Sequence, residues 1–179
     1  MCRASDLNPG DAEPYLFLGK MEQAASEPLP CSEAKLQRFA KEQPNNAPAA
    51  FYYGLLLWKK ARRSQSATDS QNAEALFRRA VEIDPKYGDV YLELGMLYNA
   101  RGEKDRALAE FGKAVGASPQ SRAAHYQLSL ACRRSGDPAR ADREMSKYEE
   151  LRKMEEAALE KERKTMRQFV TVLKQSSPQ

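Results

Sequence analysis

The sequence predicts an all-α chain built as an α-solenoid of antiparallel helix pairs that ends in a long C-terminal helix. Three observations carry this. A Leu-Gly pair on one segment and an Ala-x3-Phe-x2-Ala pattern on the next recur in the same order along the chain. Pro85 and Pro119, each closing such a segment, stand 34 residues apart. The stretches between the turns are rich in Ala, Glu, Lys, Arg and Leu, the residues that lose least on entering a helix.

Along the chain, Ala4-Ser5-Asp6-Leu7-Asn8-Pro9 is similar to Ala80-Val81-Glu82-Ile83-Asp84-Pro85 and reads as the last turn of a further second helix. Residues 1–11 are therefore the expected remnant of a preceding unit, and the chain the C-terminal part of a longer array; a short cap that imitates a unit end is the alternative. The first whole unit, 12–46, opens with Tyr15-x2-Leu18-Gly19, continues through Ala34, Leu36 and Phe39, and closes at Pro44. Glu22 replaces an expected aromatic, and Pro28 and Pro30 lie in the turn, so this unit should be irregular. The second, 47–87, has Tyr53-Gly54-x2-Leu57 and then Ala73-x3-Phe77-x2-Ala80. Its Gly-to-Ala spacing is seven residues longer than in the third unit, and the extra residues fall in the polar run from Arg62 to Asp69, read as a surface loop.

The third unit, 88–121, is the most regular: Tyr91-x2-Leu94-Gly95-x2-Tyr98, Ala107-x3-Phe111-x2-Ala114 and Pro119. Gly95 permits a close approach of the two helices, the aromatics and Leu94 fill the space, and Pro119 stops the second helix. The fourth, 122–152, keeps register through His125-x2-Leu128-Ser129-x2-Cys132 and Ala141-x3-Met145-x2-Tyr148. Lys153 stands where the closing proline belongs, so the last helix should run on through 153–179.

The pattern of the third unit resembles the tetratricopeptide repeat, an aromatic, Leu-Gly, Tyr, Ala, Phe, Ala and Pro over 34 residues, and the resemblance extends over roughly 4–152. It implies a right-handed superhelix whose first helices line a concave face, and a non-catalytic scaffold that binds a peptide or helix there. Between the packing positions, Phe51, Tyr52, Leu55 and Trp58 would form one stripe. Leu92, Glu93, Met96 and Asn99 would form the next, and Tyr126, Gln127, Leu130 and Arg133 the third. Members that clamp a C-terminal carboxylate carry Lys, Asn and Arg at such sites; the apolar residues here imply an amphipathic helix or an apolar extended peptide instead. Leu55 and Leu130 are equally suited to packing between units, whereas Phe51 and Met96 are expected in the groove.

Catalysis finds little support in the residues. The only histidine, His125, falls on a packing position, and Cys132, two helical turns later, on another. No catalytic residue, cofactor or metal ligand is expected. Gly112 and Gly116 flank Lys113 inside a helix and form no phosphate loop. A composition of 41% hydrophobic and 30% charged residues describes a globular chain, and no apolar run approaches a membrane span. Cys2, Cys31 and Cys132 are odd in number and far apart, which reads as a chain without disulfides from a reducing, cytoplasmic compartment.

The net charge is +4, but acidic residues are interspersed among the basic pairs, which favours a protein partner over nucleic acid. A structural or oligomerising role is the other alternative. Met166, Phe169, Val170 and Leu173 follow the spacing of one helical face near the end. That stripe is expected to dock on protein, with self-association through the C-terminal helix the favoured outcome and a frayed terminus the bland one.

Overall fold

Most of the helices begin at a side-chain cap or a proline in the sequence. The computed structural model describes residues 6, 8, 10–25, 27 and 29–176, with side chains as far as Gln168. Within them lie eight α-helices and no strand: α1 (Glu13–Ala24), α2 (Ser32–Glu42), α3 (Ala47–Ser64), α4 (Ala67–Ile83), α5 (Gly88–Ala100), α6 (Lys104–Ala117), α7 (Arg122–Arg134) and α8 (Pro138–Ser176). Pro14 and Pro48 occupy the first turns of α1 and α3, where a missing N–H costs nothing. Asn46, Ser66 and Ser121 cap α3, α4 and α7 by accepting from the backbone N–H of Ala49, Asp69 and Ala124.

Odd- and even-numbered helices pair across short turns, and successive pairs stack into an α-solenoid. The turns after α5 and α7 use Gly102 and Gly136 at φ 79° and 83°. The turn after α3 reaches the same left-handed region with Gln65, at φ 54°. The seven inserted residues do not form the expected loop. They are absorbed as extra turns of α3 and α4, which run 18 and 17 residues against 13 and 14 for α5 and α6. Ser66, in the middle of the polar run, is a helix cap, so polarity there marks an exposed helix pair.

The core runs through the pairs as Phe51, Leu56, Phe77, Leu97, Phe111 and Leu128, all buried. Gly54 and Gly95 admit the rings of Phe77 and Phe111; it is a ring face, more than the facing backbone, that the missing Cβ accommodates. In the first pair, Tyr15 stacks on Phe39 with ring centres 4.7 Å apart. Glu22, fully buried, accepts from the Leu29 N–H at 3.0 Å and so pins the irregular turn. Lys59 of α3 donates to the carbonyls of Glu22, Gln23 and Ala25, closing the C-terminal end of α1 from the neighbouring pair.

The cysteines depart from expectation. Cys31 is disulfide-bonded and Cys132 is a free, buried thiol. Distance in sequence says nothing about which cysteines meet in space, and the disulfide removes the cysteine argument for a reducing compartment. No helix among the described residues is long and apolar enough to cross a membrane. Of the expected remnant of a preceding unit, residues 1–5, 7 and 9 lie outside the described residues; Asp6 forms ion pairs with Lys35 and Arg38 of α2.

Helix α8 packs on α7 through Ala141 and Leu151, keeps an ion pair from Glu155 to Arg122 at 3.2 Å, and then leaves the array. Every residue from Lys153 to Gln168 is exposed. Within this exposed stretch Glu160 lies 3.7 Å from Arg167.

Candidate functional site

The first helices α3, α5 and α7 carry the three expected stripes, and the structure treats them differently. On α3, Phe51, Tyr52, Leu55 and Trp58 are all buried, none more than 5% exposed. Phe51 sits among the rings of Tyr52, Phe77 and Tyr87, with centres 5.2, 6.1 and 5.0 Å away. Tyr52 lies over Gly19 of α1, where a Cβ would strike its ring, and it hydrogen-bonds Tyr87 at the start of α5. The placement of Phe51 in the groove therefore gives way to core packing. Helical spacing marks that face as apolar, but α1 and α5 close over it from both sides.

On α5, Leu92, Glu93, Met96 and Asn99 are half-buried and reach solvent. On α7, Tyr126 is 38% exposed and leans on Tyr148 of α8 at 5.2 Å, while Gln127 and Leu130 are half-buried. Arg133 is exposed and pairs with Asp142 at 2.9 Å. Of the apolar residues in the three stripes, Leu92 and Met96 on α5 and Leu130 and Tyr126 on α7 are the ones that reach solvent.

These residues have an acidic border. Burial pushes the Glu93 carboxyl up to about 7, against the pull of Arg62 and with the help of Asp89; Lys59 pulls it down again. Burial also raises Asp89 and the hydroxyl of Tyr87.

The residues weighed for catalysis are engaged in packing. His125 is buried, with Nε2 3.0 Å from the Pro119 carbonyl and Nδ1 2.7 Å from Glu144 Oε2. A carbonyl only accepts, so Nε2 donates, and Nδ1 meets a carboxylate; neither nitrogen is left for a substrate. Burial raises the Cys132 thiol, which leaves it a poor nucleophile. At the C-terminus, Met166 is 58% exposed, while the side chains of Phe169, Val170 and Leu173 lie outside the described residues.

Sequence reasoning missed a cavity of about 640 Å³ at the corner where α3 turns into α4 beside the end of α5. Its signal was the seven-residue insert, which builds two of its walls.

A family model described as tetratricopeptide repeat matches residues 65–126, from the α3–α4 turn into α7. No curated protein matches the chain in sequence. Among solved structures, the crystal structure of MamA is similar with a TM-score of 0.65 at 23% identity, covering 87% of this chain and 86% of that one. A thermophilic tetratricopeptide-repeat protein of Thermus thermophilus is similar with a TM-score of 0.69 at 18% identity, covering 88% and 86%. At these identities the likeness is one of fold. An O-GlcNAc transferase mutant of Thermobaculum terrenum is similar with a TM-score of 0.57 at 25% identity, over 67% of this chain but only 22% of the transferase.

Proposed function

We propose that this chain, whose residues 65–126 match the tetratricopeptide-repeat model and whose fold is that of an α-solenoid, is a non-catalytic scaffold that binds an amphipathic helix or apolar extended peptide across α5 and α7. The observation that carries the reading is the strip of Leu92, Met96, Leu130 and Tyr126. These are apolar side chains that the stacking of units leaves in reach of solvent on successive first helices. Phe51, Tyr52, Leu55 and Trp58 serve this face from beneath, by fixing α5 against α3. Glu93, Asn99, Gln127 and Arg133 supply its polar border.

A protein partner is favoured over nucleic acid by the ion pairs of the basic clusters. Lys60, Arg63, Arg78, Arg79 and Arg133 are matched by Glu33, Glu27, Glu74, Glu82 and Asp142. No basic stripe with interleaved aromatics results among the described residues. Self-association is proposed as a further property of α8, because Met154, Leu159 and Met166 stand 58, 52 and 58% exposed on it.

The test replaces Met96 and Tyr126, separately, by Glu and measures binding of a partner captured by cross-linking in the native cell. Loss of binding with unchanged helicity supports the proposal. Full binding by both variants overturns it.

A further inference from the structure

The corner cavity is walled by the last turn of α3, the first turn of α4 and the end of α5. Trp58, Arg62, Ser66, Ser70, Gln71 and Arg101 line it, and no acidic side chain does among the described residues. Arg101 is taken up by Glu74, but other polar groups of the lining carry unused donors. Trp58 is 5% exposed, and its indole N–H has no acceptor; a buried donor is rarely left so. Ser66 Oγ accepts from the Asp69 N–H at 3.1 Å and Ser70 Oγ from Arg101 Nε at 3.2 Å, which leaves both hydroxyl hydrogens to donate.

Charge points the same way. Helix α4, 17 residues long, starts at this corner and turns the positive end of its backbone dipole toward it. The carbonyl end of α3, which would repel an anion, carries Arg62 in its last turn beside Arg63, which pairs with Glu27; Asp69 in the first turn of α4 does not line the cavity. Arg62 is exposed, with its guanidinium 5.9 Å from the Trp58 ring centre, and forms no ion pair among the described residues. Glu93, whose carboxyl burial raises and Arg62 pulls down, is not among the residues that line the cavity.

We infer that this corner is a subsite for an oxyanion, a carboxylate or phosphate group, carried by the peptide that lies on α5 and α7. It rests on the reading proposed above and deepens it. Along α5, Met96 and Asn99 lead directly to Ala100 and Arg101 at the rim, so a peptide following the strip arrives at the cavity. The oxyanion would meet Arg62 and the N-terminal turn of α4, where Ser66 already caps the Asp69 N–H, with the indole and hydroxyl donors behind them.

Trp58 is the chain's one tryptophan, so its emission reports on the corner in the full-length protein. Inorganic phosphate should change that emission saturably, and Arg62→Ala, at an exposed position, should remove the response. Three amphipathic peptides that differ at one residue, Glu, phosphoserine or Gln, then identify the source of the anion. The Glu or the phosphoserine peptide should bind at least about tenfold tighter than the Gln peptide, an advantage that Arg62→Ala and raised salt both abolish. The tighter of the two names the group. Equal binding of all three, a preference that survives Arg62→Ala, or no binding at all overturns the subsite. Loss of every peptide with Met96→Glu while Arg62→Ala changes nothing would sink the corner and keep the strip. An acidic preference that persists in Met96→Glu with undiminished affinity would sink the strip and keep the corner.

Discussion

Gly95 and Phe111 meet so closely that one methyl group has no room between them: a Cβ on Gly95 would stand 2.5 Å from the ring. The ring is fully buried and held by the rest of the α5–α6 pair, so it has nowhere to retreat. Gly95→Ala should therefore destabilise by about 1–3 kcal/mol, and Gly95→Leu by at least as much. Thermal unfolding followed by circular dichroism checks this; an unchanged midpoint for the Leu variant would refute the packing argument.

Glu74 should be the most acid-sensitive tie between the second and third units. It accepts from Arg101 at 2.5 Å, Tyr98 at 2.8 Å, and Arg78 and Arg106 at 3.1 Å each. Burial disfavours its charge, but the hydrogen bonds from Arg101 and Tyr98 and the charges of Arg101 and Arg78 outweigh that and bring the carboxyl down to about 2. A carboxyl lowered in the folded state stabilises fully above its unfolded value near 4.5 and loses that contribution as pH falls toward 2. Glu74→Gln should thus cost about 1–3 kcal/mol at pH 7. In denaturant titrations across this range, the deficit should shrink steadily on acidification.

Glu93 should act in the opposite sense. Its carboxyl is raised by burial to about 7, so the folded chain holds the proton more tightly than the unfolded one. Stability then falls as pH climbs from about 4.5 to about 7 and levels off above. Glu93→Gln should remove that slope and leave the variant more stable than the parent at pH 8, by up to about 3 kcal/mol. Parallel pH profiles that differ only by a constant offset would contradict it.

Removing the chain beyond Lys164 should leave the melting of the array unchanged, since the described residues there touch none of it. If α8 joins two copies, sedimentation will show the truncated chain at a lower mass than the full chain. Equal masses would rule out that role.

The register of the units was legible because it rests on residue size. Gly95 beside Phe111 and Gly54 beside Phe77 leave the same small-then-large spacing in any sequence that packs helices this way. Side chains answering to a neighbouring unit were harder to place. Phe51 and Met96 look alike along one helix, yet the first is closed over by α1 and α5 while the second is not. Only the way one pair sits on the next decides between them. The run from Arg62 to Asp69 misled for a related reason, since an exposed helix pair and a loop are equally polar. Glu22 read as a flaw in its unit because its partner is a backbone N–H in an irregular turn, which no residue pattern announces.

The exposed length of α8 has a mechanical meaning. From Arg152 to Ser176 the helix extends about 35–40 Å, at 1.5 Å per residue, held to the array at its base by the ion pair of Glu155 with Arg122 of α7 and exposed along the rest of its described side chains. Alternating charges such as Arg152 with Glu149 and Glu156 stiffen its first turns. It is therefore a boom: a body held at its far end would be kept roughly one small-domain diameter away from a body on α5 and α7. Lengthening or shortening it by two residues would also swing that far end by about 200° around the axis. Two attached bodies would then be re-aimed relative to each other without any change in either surface.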